Sequence, residues 1–136
     1  MSCMSDYLEA AALNYIYRGV AWTPAGTLYV MLGTSVWDDT GGTVPEVNGG
    51  GYVRAGIVKA TGGWSAPGVA GTISNGTALN FGTATAAWGT VTHMALIDQS
   101  TGTGNVYMQG TLTASKVVGS GDIFQMAVGA VQVTFA

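Results

Sequence analysis

Apolar residues near the start of the chain recur at the spacing i, i+3, i+4, i+7 and i+8. These residues are Leu8, Ala11, Ala12, Tyr15 and Ile16. Because this spacing places them on one helical face, it predicts an amphipathic helix over residues 6–18. Asp6 and Glu9 are predicted to form a capping pair at its N-terminus, and Gly19 is predicted to end it.

From residue 27 onward the pattern changes to that of short strands. The apolar run over residues 27–32 lies between glycines, which predicts a strand buried on both faces or at the centre of a sheet. Asn75-Gly76 predicts a hairpin between strands at 71–74 and 77–81. A second hairpin is predicted between residues 90–97 and 105–112. Further strand patterns cover residues 52–58, 115–118, 122–128 and 130–135.

Seven or eight short strands at this spacing predict an all-β fold. We expect a compact antiparallel β-sandwich, jelly-roll-like, with one short N-terminal amphipathic helix. Parallel βαβ units are excluded because no crossover helices separate the strands. No fixed period of about 20–50 residues indicates a solenoid. Residues 1–136 are predicted to form a single domain, with the helix at 6–18 and the sandwich at 27–135.

The composition indicates a structural protein that associates with other proteins. Glycine accounts for 22 of 136 residues, and charged residues for only 8% of the chain, against about 25% in an ordinary domain. The surface must therefore consist largely of neutral polar residues. With a net charge of −3, copies of the chain repel one another weakly, so we expect association with itself or with a larger assembly.

Several classes of protein are excluded by the same composition. A hydrophobic fraction of 48% argues against disorder, and no window of about 18 residues is apolar enough to span a membrane. The first six residues lack the basic and apolar regions of a signal peptide, so we expect no Sec export. Four basic residues are too few for a phosphate-binding surface, which argues against nucleic acid as a partner.

Residues suited to catalysis or to cofactor binding are scarce. His93 is the only histidine; as a general base it would need an orienting carboxylate such as Asp98 or Asp122. A strand histidine bound to a neighbouring hydroxyl or carbonyl is the commoner case, so we expect no enzyme activity. Gly49-Gly50-Gly51 precedes a strand and lacks a following Lys-Ser/Thr, which indicates a flexible turn and no phosphate loop. No cofactor is expected.

Metal binding has one weak candidate. Asp38, Asp39 and Glu46 lie in a predicted long loop, residues 37–48. They would hold Ca²⁺ weakly at best, and a solvated loop is the commoner reading of such a cluster. Cys3 is the only cysteine and excludes an internal disulfide. We therefore predict no metal site.

Two surfaces are candidates for contact with a partner. The helix either closes one end of its own sandwich or reaches a neighbouring subunit through its aromatic residues. The loop over residues 37–48 is the second candidate. The tryptophans Trp22, Trp37, Trp64 and Trp88 favour packing in the core or an interface over stacking on sugars. The predicted contact residues are Tyr7, Leu8, Tyr15, Tyr17, Trp37, Asp38, Asp39, Val44 and Val47.

Two stretches carry a resemblance to a known family. Gly49-Gly50-Gly51-Tyr52-Val53-Arg54 and Trp88-Gly89-Thr90-Val91-Thr92-His93, in the order in which they occur, resemble the small virion structural proteins of tailed bacteriophages, often labelled tail-fibre proteins. The resemblance covers most of the chain, and both stretches look structural. It implies a virion component assembled in the host cytoplasm, and it leaves the place in the virion open.

The absence of a sequence repeat favours a place on the capsid over a place in a fibre shaft. Fibre shafts are usually elongated and repetitive, so a compact chain favours a capsid cement or decoration protein. Such a protein stabilises the assembled shell by binding it in preference to free subunits. Its expected partners are the major capsid protein and copies of itself, as a homo-oligomer. The alternative is a tail-fibre or tail-associated component that contacts other tail proteins or host glycans.

Overall fold

The computed structural model of the protein describes residue 1, residues 3–39 and residues 45–135. Within these ranges the chain forms one helix and nine strands, and all strand ladders are antiparallel. The elements are β1 (Cys3–Met4), α1 (Asp6–Arg18), β2 (Thr27–Gly33), β3 (Ala55–Val58), β4 (Thr72–Ser74), β5 (Leu79–Thr83), β6 (Gly89–Ile97), β7 (Val106–Val118), β8 (Ile123–Met126) and β9 (Gln132–Thr134). The predicted all-β sandwich with one N-terminal helix is confirmed. In the described ranges no helix has the length and apolar character needed to cross a bilayer.

The helix α1 has the predicted bounds, but its N-cap is Ser5 and not Asp6. The Ser5 Oγ accepts a hydrogen bond from the Leu8 N–H at 3.2 Å and donates one to the first carbonyl of β7. Asp6 and Glu9 lie in the first turn, near the positive end of the helix dipole. Gly19 ends the helix in the left-handed conformation, with φ 66°. Ser5 therefore both caps the helix and attaches it to the sheet.

The largest sheet has the strand order β1-β7-β6-β2-β3. Its centre is the predicted hairpin of β6 and β7, which confirms the second of the two predicted hairpins. Residues 115–118 continue β7, where a separate strand was predicted. Between Val91 and His93 the ladder shifts register, and residues 112–115 of β7 lie opposite Thr92 alone. This bulge bends β7 away from its partner.

The other predicted hairpin is wrong. Strands do form close to residues 71–74 and 77–81, but β4 pairs with β9 and β5 pairs with β8. Asn75 does not act as a turn residue, because its side chain is buried and fully used in hydrogen bonds. Its Nδ2 donates to the carbonyls of Thr77 and Ala127, and its Oδ1 accepts from the Val131 N–H at 2.8 Å. Asn75 thus joins β4 to the C-terminal segment.

The centre of the main sheet is buried on both faces at residues 30–33 of β2, within and next to the run predicted to be buried, whereas residues 27–29 are half-buried. Val30 and Leu32 point into the principal core between the sheet and the two strand pairs, whereas Met31 belongs to a second, smaller core on the opposite face. Trp37 closes the second core and is only 3% exposed. Its ring lies where a side chain at Gly33 would be, so that position accepts only glycine.

A polar network fixes the end of the predicted long loop against the sheet. Glu46 forms an isolated bridge with Gly33, and its carboxylate receives two hydrogen bonds from Arg54, each 2.7 Å long. Arg54 also donates to the carbonyls of Gln99 and Gly102 in the β6–β7 loop. Arg54 therefore forms an ion pair with Glu46 and joins the two loops. The Glu46 carboxylate raises the pKa of the guanidinium.

Tyr52 completes this network. Its hydroxyl donates to Glu46 Oε1 at 2.9 Å and accepts from the Leu32 N–H at 3.0 Å. Its ring packs edge-on against Trp88. Burial raises the pKa of the Tyr52 hydroxyl far above its ordinary value because the phenolate would lose its hydration.

The triple glycine before β3 is packed closely and is not a flexible turn. Gly51 has φ 81°, and a Cβ there would lie far inside van der Waals contact of the Thr83 carbonyl oxygen. A side chain at Gly49 would collide with the Trp88 ring. Gly89 also has φ 81°, but the space around it is open.

We expect Gly51→Ala to lower the free energy of unfolding by about 4 kcal/mol, the sum of left-handed strain and a main-chain collision. Gly89 has the same φ but no neighbour that a Cβ would meet, so Gly89→Ala is expected to lower the free energy of unfolding by about 1 kcal/mol. Urea denaturation of the two variants measures the difference. Equal losses would show that packing at Gly51 is unimportant.

We expect Tyr52→Phe to lower the free energy of unfolding at pH 7 by about 2 kcal/mol, since Leu32 and Glu46 lose a buried partner. Because the folded pKa is raised, the tyrosine contribution is complete below about pH 10 and declines above it, as the unfolded state ionises first. The fall in stability between about pH 9 and 11 should therefore be shallower in the variant. Tyr17→Phe, at an exposed position, is the control and should leave stability at pH 7 unchanged.

Candidate docking surface

The helix α1 packs against the sheet only through its first half. Leu8 is buried in the principal core, and Tyr7 contacts the Tyr107 ring at a centroid distance of 5.5 Å. The second half projects from the sheet. Its large side chains are exposed, including Ile16 at 66%. The exposed apolar residues of this half, with the residue after the cap, are Leu13, Tyr15, Ile16, Tyr17 and Val20.

An apolar groove of about 620 Å³ lies beside this half of the helix. Its floor is the inner face of the main sheet, and α1 forms one wall. The segment around β4 and β9 forms the other wall. The helix groove is lined by Leu8, Ala12, Tyr15, Ile16, Trp22, Leu28, Lys59, Trp64, Pro67, Gly71, Ile73, Leu96, Tyr107, Met108, Val133 and Phe135. Together with the exposed half of α1, it forms a continuous apolar region that we call the docking surface.

Charge is nearly absent from the helix groove. Lys59 is its one charged lining residue in the described ranges, and the Lys59 Nζ donates to the Pro24 carbonyl at 3.1 Å. The Tyr107 hydroxyl accepts from the Ala25 N–H at 3.2 Å, and burial raises its pKa. The groove therefore suits apolar side chains from a partner and offers few groups to a polar ligand.

The predicted contact residues separate into three groups. Tyr15 and Tyr17 are exposed on the docking surface, and Tyr7 lies partly buried beneath it. Trp37 and Val47 are buried in the core away from the helix groove, whereas Leu8, also buried, lies at the base of that groove. Asp38 and Asp39 are exposed at the opposite core, and Val44 lies outside the described residues.

Sequence reasoning missed the far wall of the groove. Trp64 is partly buried on that wall and Phe135 is exposed, whereas Trp22 lies on the helix side, where its Nε1 donates to the Tyr7 hydroxyl at 3.4 Å. Tryptophans next to turn residues were a usable signal, but nothing in the local pattern indicated that these two lie on the same groove. Trp37 and Trp88, with the same kind of neighbours, are buried in the core.

The residues suited to catalysis are engaged in local hydrogen bonds. His93 Nδ1 lies 2.7 Å from the Thr92 hydroxyl, and its ring packs edge-on against Trp37. Its two suggested carboxylate partners point elsewhere. Asp98 binds the main-chain and side-chain nitrogens of Asn105, and Asp122 accepts from the Gly119 N–H. The geometry thus places His93 beside a hydroxyl, as expected for a structural histidine.

The acidic residues of the predicted loop do not converge. Glu46 is bound by Arg54, whereas Asp39 accepts a 2.6 Å hydrogen bond from Gln109 and lies 3.7 Å from the Cys3 sulfur. Burial and the nearby Asp39 raise the pKa of the Cys3 thiol. Across residues 3–39 and 45–135, no group of three or more His, Cys, Asp or Glu side chains has the arrangement of a metal site.

Comparison with known proteins agrees with a structural role. A family described as "Podophage GP4 fiber I protein gp80" matches residues 3–134, which is nearly the whole chain. No curated protein matches the sequence. The match includes both stretches that carried the sequence resemblance and every described strand. The chain belongs to the podophage GP4 fiber I protein gp80 family and is a structural protein of the bacteriophage virion.

Proposed function

We propose that this protein is a non-enzymatic subunit of a virion fibre and that it joins its neighbours through the docking surface. The observation that carries the proposal is the exposed apolar half of α1 beside an apolar groove. Monomeric soluble proteins rarely expose contiguous apolar regions of this kind. The fibre description of the family supports the same assembly.

The groove favours protein side chains over a sugar. A glycan would stack on Trp22 or Trp64 and would also need several polar partners for its hydroxyls. Among the described residues that line the groove, Lys59 alone is charged, and its ammonium is already bound to the Pro24 carbonyl. Copies of the chain or other tail proteins are therefore better occupants than host glycans.

A capsid cement or decoration role is the second candidate. The described strands form antiparallel sheets in which many neighbours are distant in sequence, which suits a compact protein on the surface of a shell. Such a protein would place the docking surface where capsid subunits meet, in contact with the major capsid protein, and would stabilise the assembled state selectively. The same surface serves both roles, so abundance in the particle separates them.

The copy number of the chain in purified particles tests the location. A fibre subunit should be present in tens of copies or fewer, far below the major capsid protein. Quantitative mass spectrometry against the major capsid protein measures this ratio. A ratio near one, or a simple fraction of it, would instead assign the chain to the shell.

The docking surface is tested by Ile16→Glu. Ile16 is exposed in the free chain, so the substitution should change the free energy of unfolding by no more than about 0.5 kcal/mol. A buried glutamate at the contact would be unpaired, so incorporation into particles should fall at least about tenfold.

Val128→Glu is the matched control. Val128 is 62% exposed and lies outside the helix groove, so this variant should be incorporated normally. Complementation of a phage that lacks the gene, followed by immunoblotting of purified particles, gives both values. Normal incorporation of a folded Ile16→Glu chain would contradict the proposed surface.

A further inference from the structure

The two layers of the sandwich are joined by neighbouring strands on one side. On the other side the N-terminal segment joins them, because Met1 bonds to Gln132 and Thr134 of β9 while Cys3–Met4 pairs with β7, and beyond this segment β7 and β8 lie apart. On the first side, the Val53 N–H donates to the Phe81 carbonyl at 3.0 Å, so the segment entering β3 contacts β5. Strand neighbours then follow in the order β7, β6, β2, β3, β5 and β8. A turn at residues 119–122 connects β7 directly to β8. These two strands nevertheless form no ladder with each other.

Both strands have an unpaired edge at this opening. β1 pairs with β7 at Met108 and Gln109, and among the described residues no strand pairs with the outer edge of β7 from Thr111 to Val117. The bulge at residues 112–115 adds main-chain groups that are not paired with β6 in register. β8 pairs with β5 on one side alone. Within the described residues, no other main-chain hydrogen bond reaches either edge.

The two edges line the same groove, of about 360 Å³, which we call the β7–β8 groove. Its floor contains the buried side chains of Met94, Phe124 and Met126. Its remaining lining residues are Thr111, Leu112, Thr113, Ala114, Lys116, Ile123, Gln125 and Ala130. The groove therefore combines an apolar floor with two walls of unpaired N–H and C=O groups.

We infer that the β7–β8 groove accepts an extended strand donated by a different virion protein. An extended main chain carries donors and acceptors along both of its edges, so it is the ligand that can pair with β7 and β8 together. Its side chains alternate between the two faces. Those facing the floor should be apolar, to pack on Phe124 and Met126. The inserted strand would close the ring of strand neighbours.

A second copy of the chain is a poorer donor. Every strand in the described ranges is already paired within its own chain, so the described part of a copy has no free strand to give without unfolding part of itself. Lys116 lies on the rim of the groove, and edge lysines discourage pairing between copies of the same sheet. The donor is therefore a separate polypeptide with an unpaired extended segment.

Amide hydrogen exchange tests the inference, which rests on the proposed place in the virion. Exchange is measured by mass spectrometry for the free protein at micromolar and millimolar concentration and for purified particles. Peptides covering residues 111–117 and 123–126 should exchange at least tenfold more slowly in particles than in the free protein at either concentration. Equal exchange in particles and in free protein would overturn the strand insertion. Protection that develops in concentrated free protein would show that the donor is a second copy.

Site-specific photocrosslinking identifies the donor. A benzophenone side chain at Ile123, 55% exposed beside the groove, should crosslink in particles to one extended segment of another virion protein. The same probe at Val58, 54% exposed on β3, is the matched control and should not capture this segment. Crosslinks from Ile123 only to this chain, or none at all, would contradict the inference. Absence of the protein from particles would instead contradict the proposed function.

Discussion

The burial of both faces of the central strands is the constraint on which the rest of the structure depends. Val30 and Leu32 must be shielded from water on one face of the sheet, and Met31 must be shielded on the other. At about 25 cal/mol for each Å² of apolar surface, neither face can stay in water without a large loss of stability. The two strand pairs cover the first face, and Trp37 covers the second. Trp37 belongs to the segment that leads to Glu46, and the Glu46–Arg54 ion pair fixes the end of that segment against the sheet.

The docking surface follows from incomplete cover of the first face. The strand pairs β4–β9 and β5–β8 are short, and α1 covers the sheet only as far as Leu8 and Tyr7. The helix groove is the part of the sheet face that remains, and its floor includes Leu96 and Met108. A chain with few charges has little electrostatic repulsion to keep such a surface apart from a neighbour.

Local signals in the sequence predicted the elements better than they predicted the contacts between them. The α1 helix and the β6–β7 hairpin were predicted because the periodicity of apolar residues within each segment is enough to identify them. Asn75-Gly76 has the local signature of a hairpin, but Asn75 is buried by residues more than 50 positions away, and no local pattern carries that information. The burial of Trp37 is absent from local patterns for the same reason, because it depends on Met31 and Ala95 of distant strands.

The two open regions of the molecule differ in what they demand of a partner. The free energy gained by covering the helix groove depends on the apolar area that is removed from water and not on direction. Any partner surface that is apolar and complementary in shape can therefore bind there. The β7–β8 groove instead has unpaired main-chain groups, and hydrogen bonds are satisfied only in a narrow range of distance and angle. A partner there must adopt one conformation, the extended strand, and one register. An assembly needs both binding free energy and a fixed orientation of its subunits. The helix groove supplies the first through apolar burial, and the β7–β8 groove supplies the second through directional hydrogen bonds.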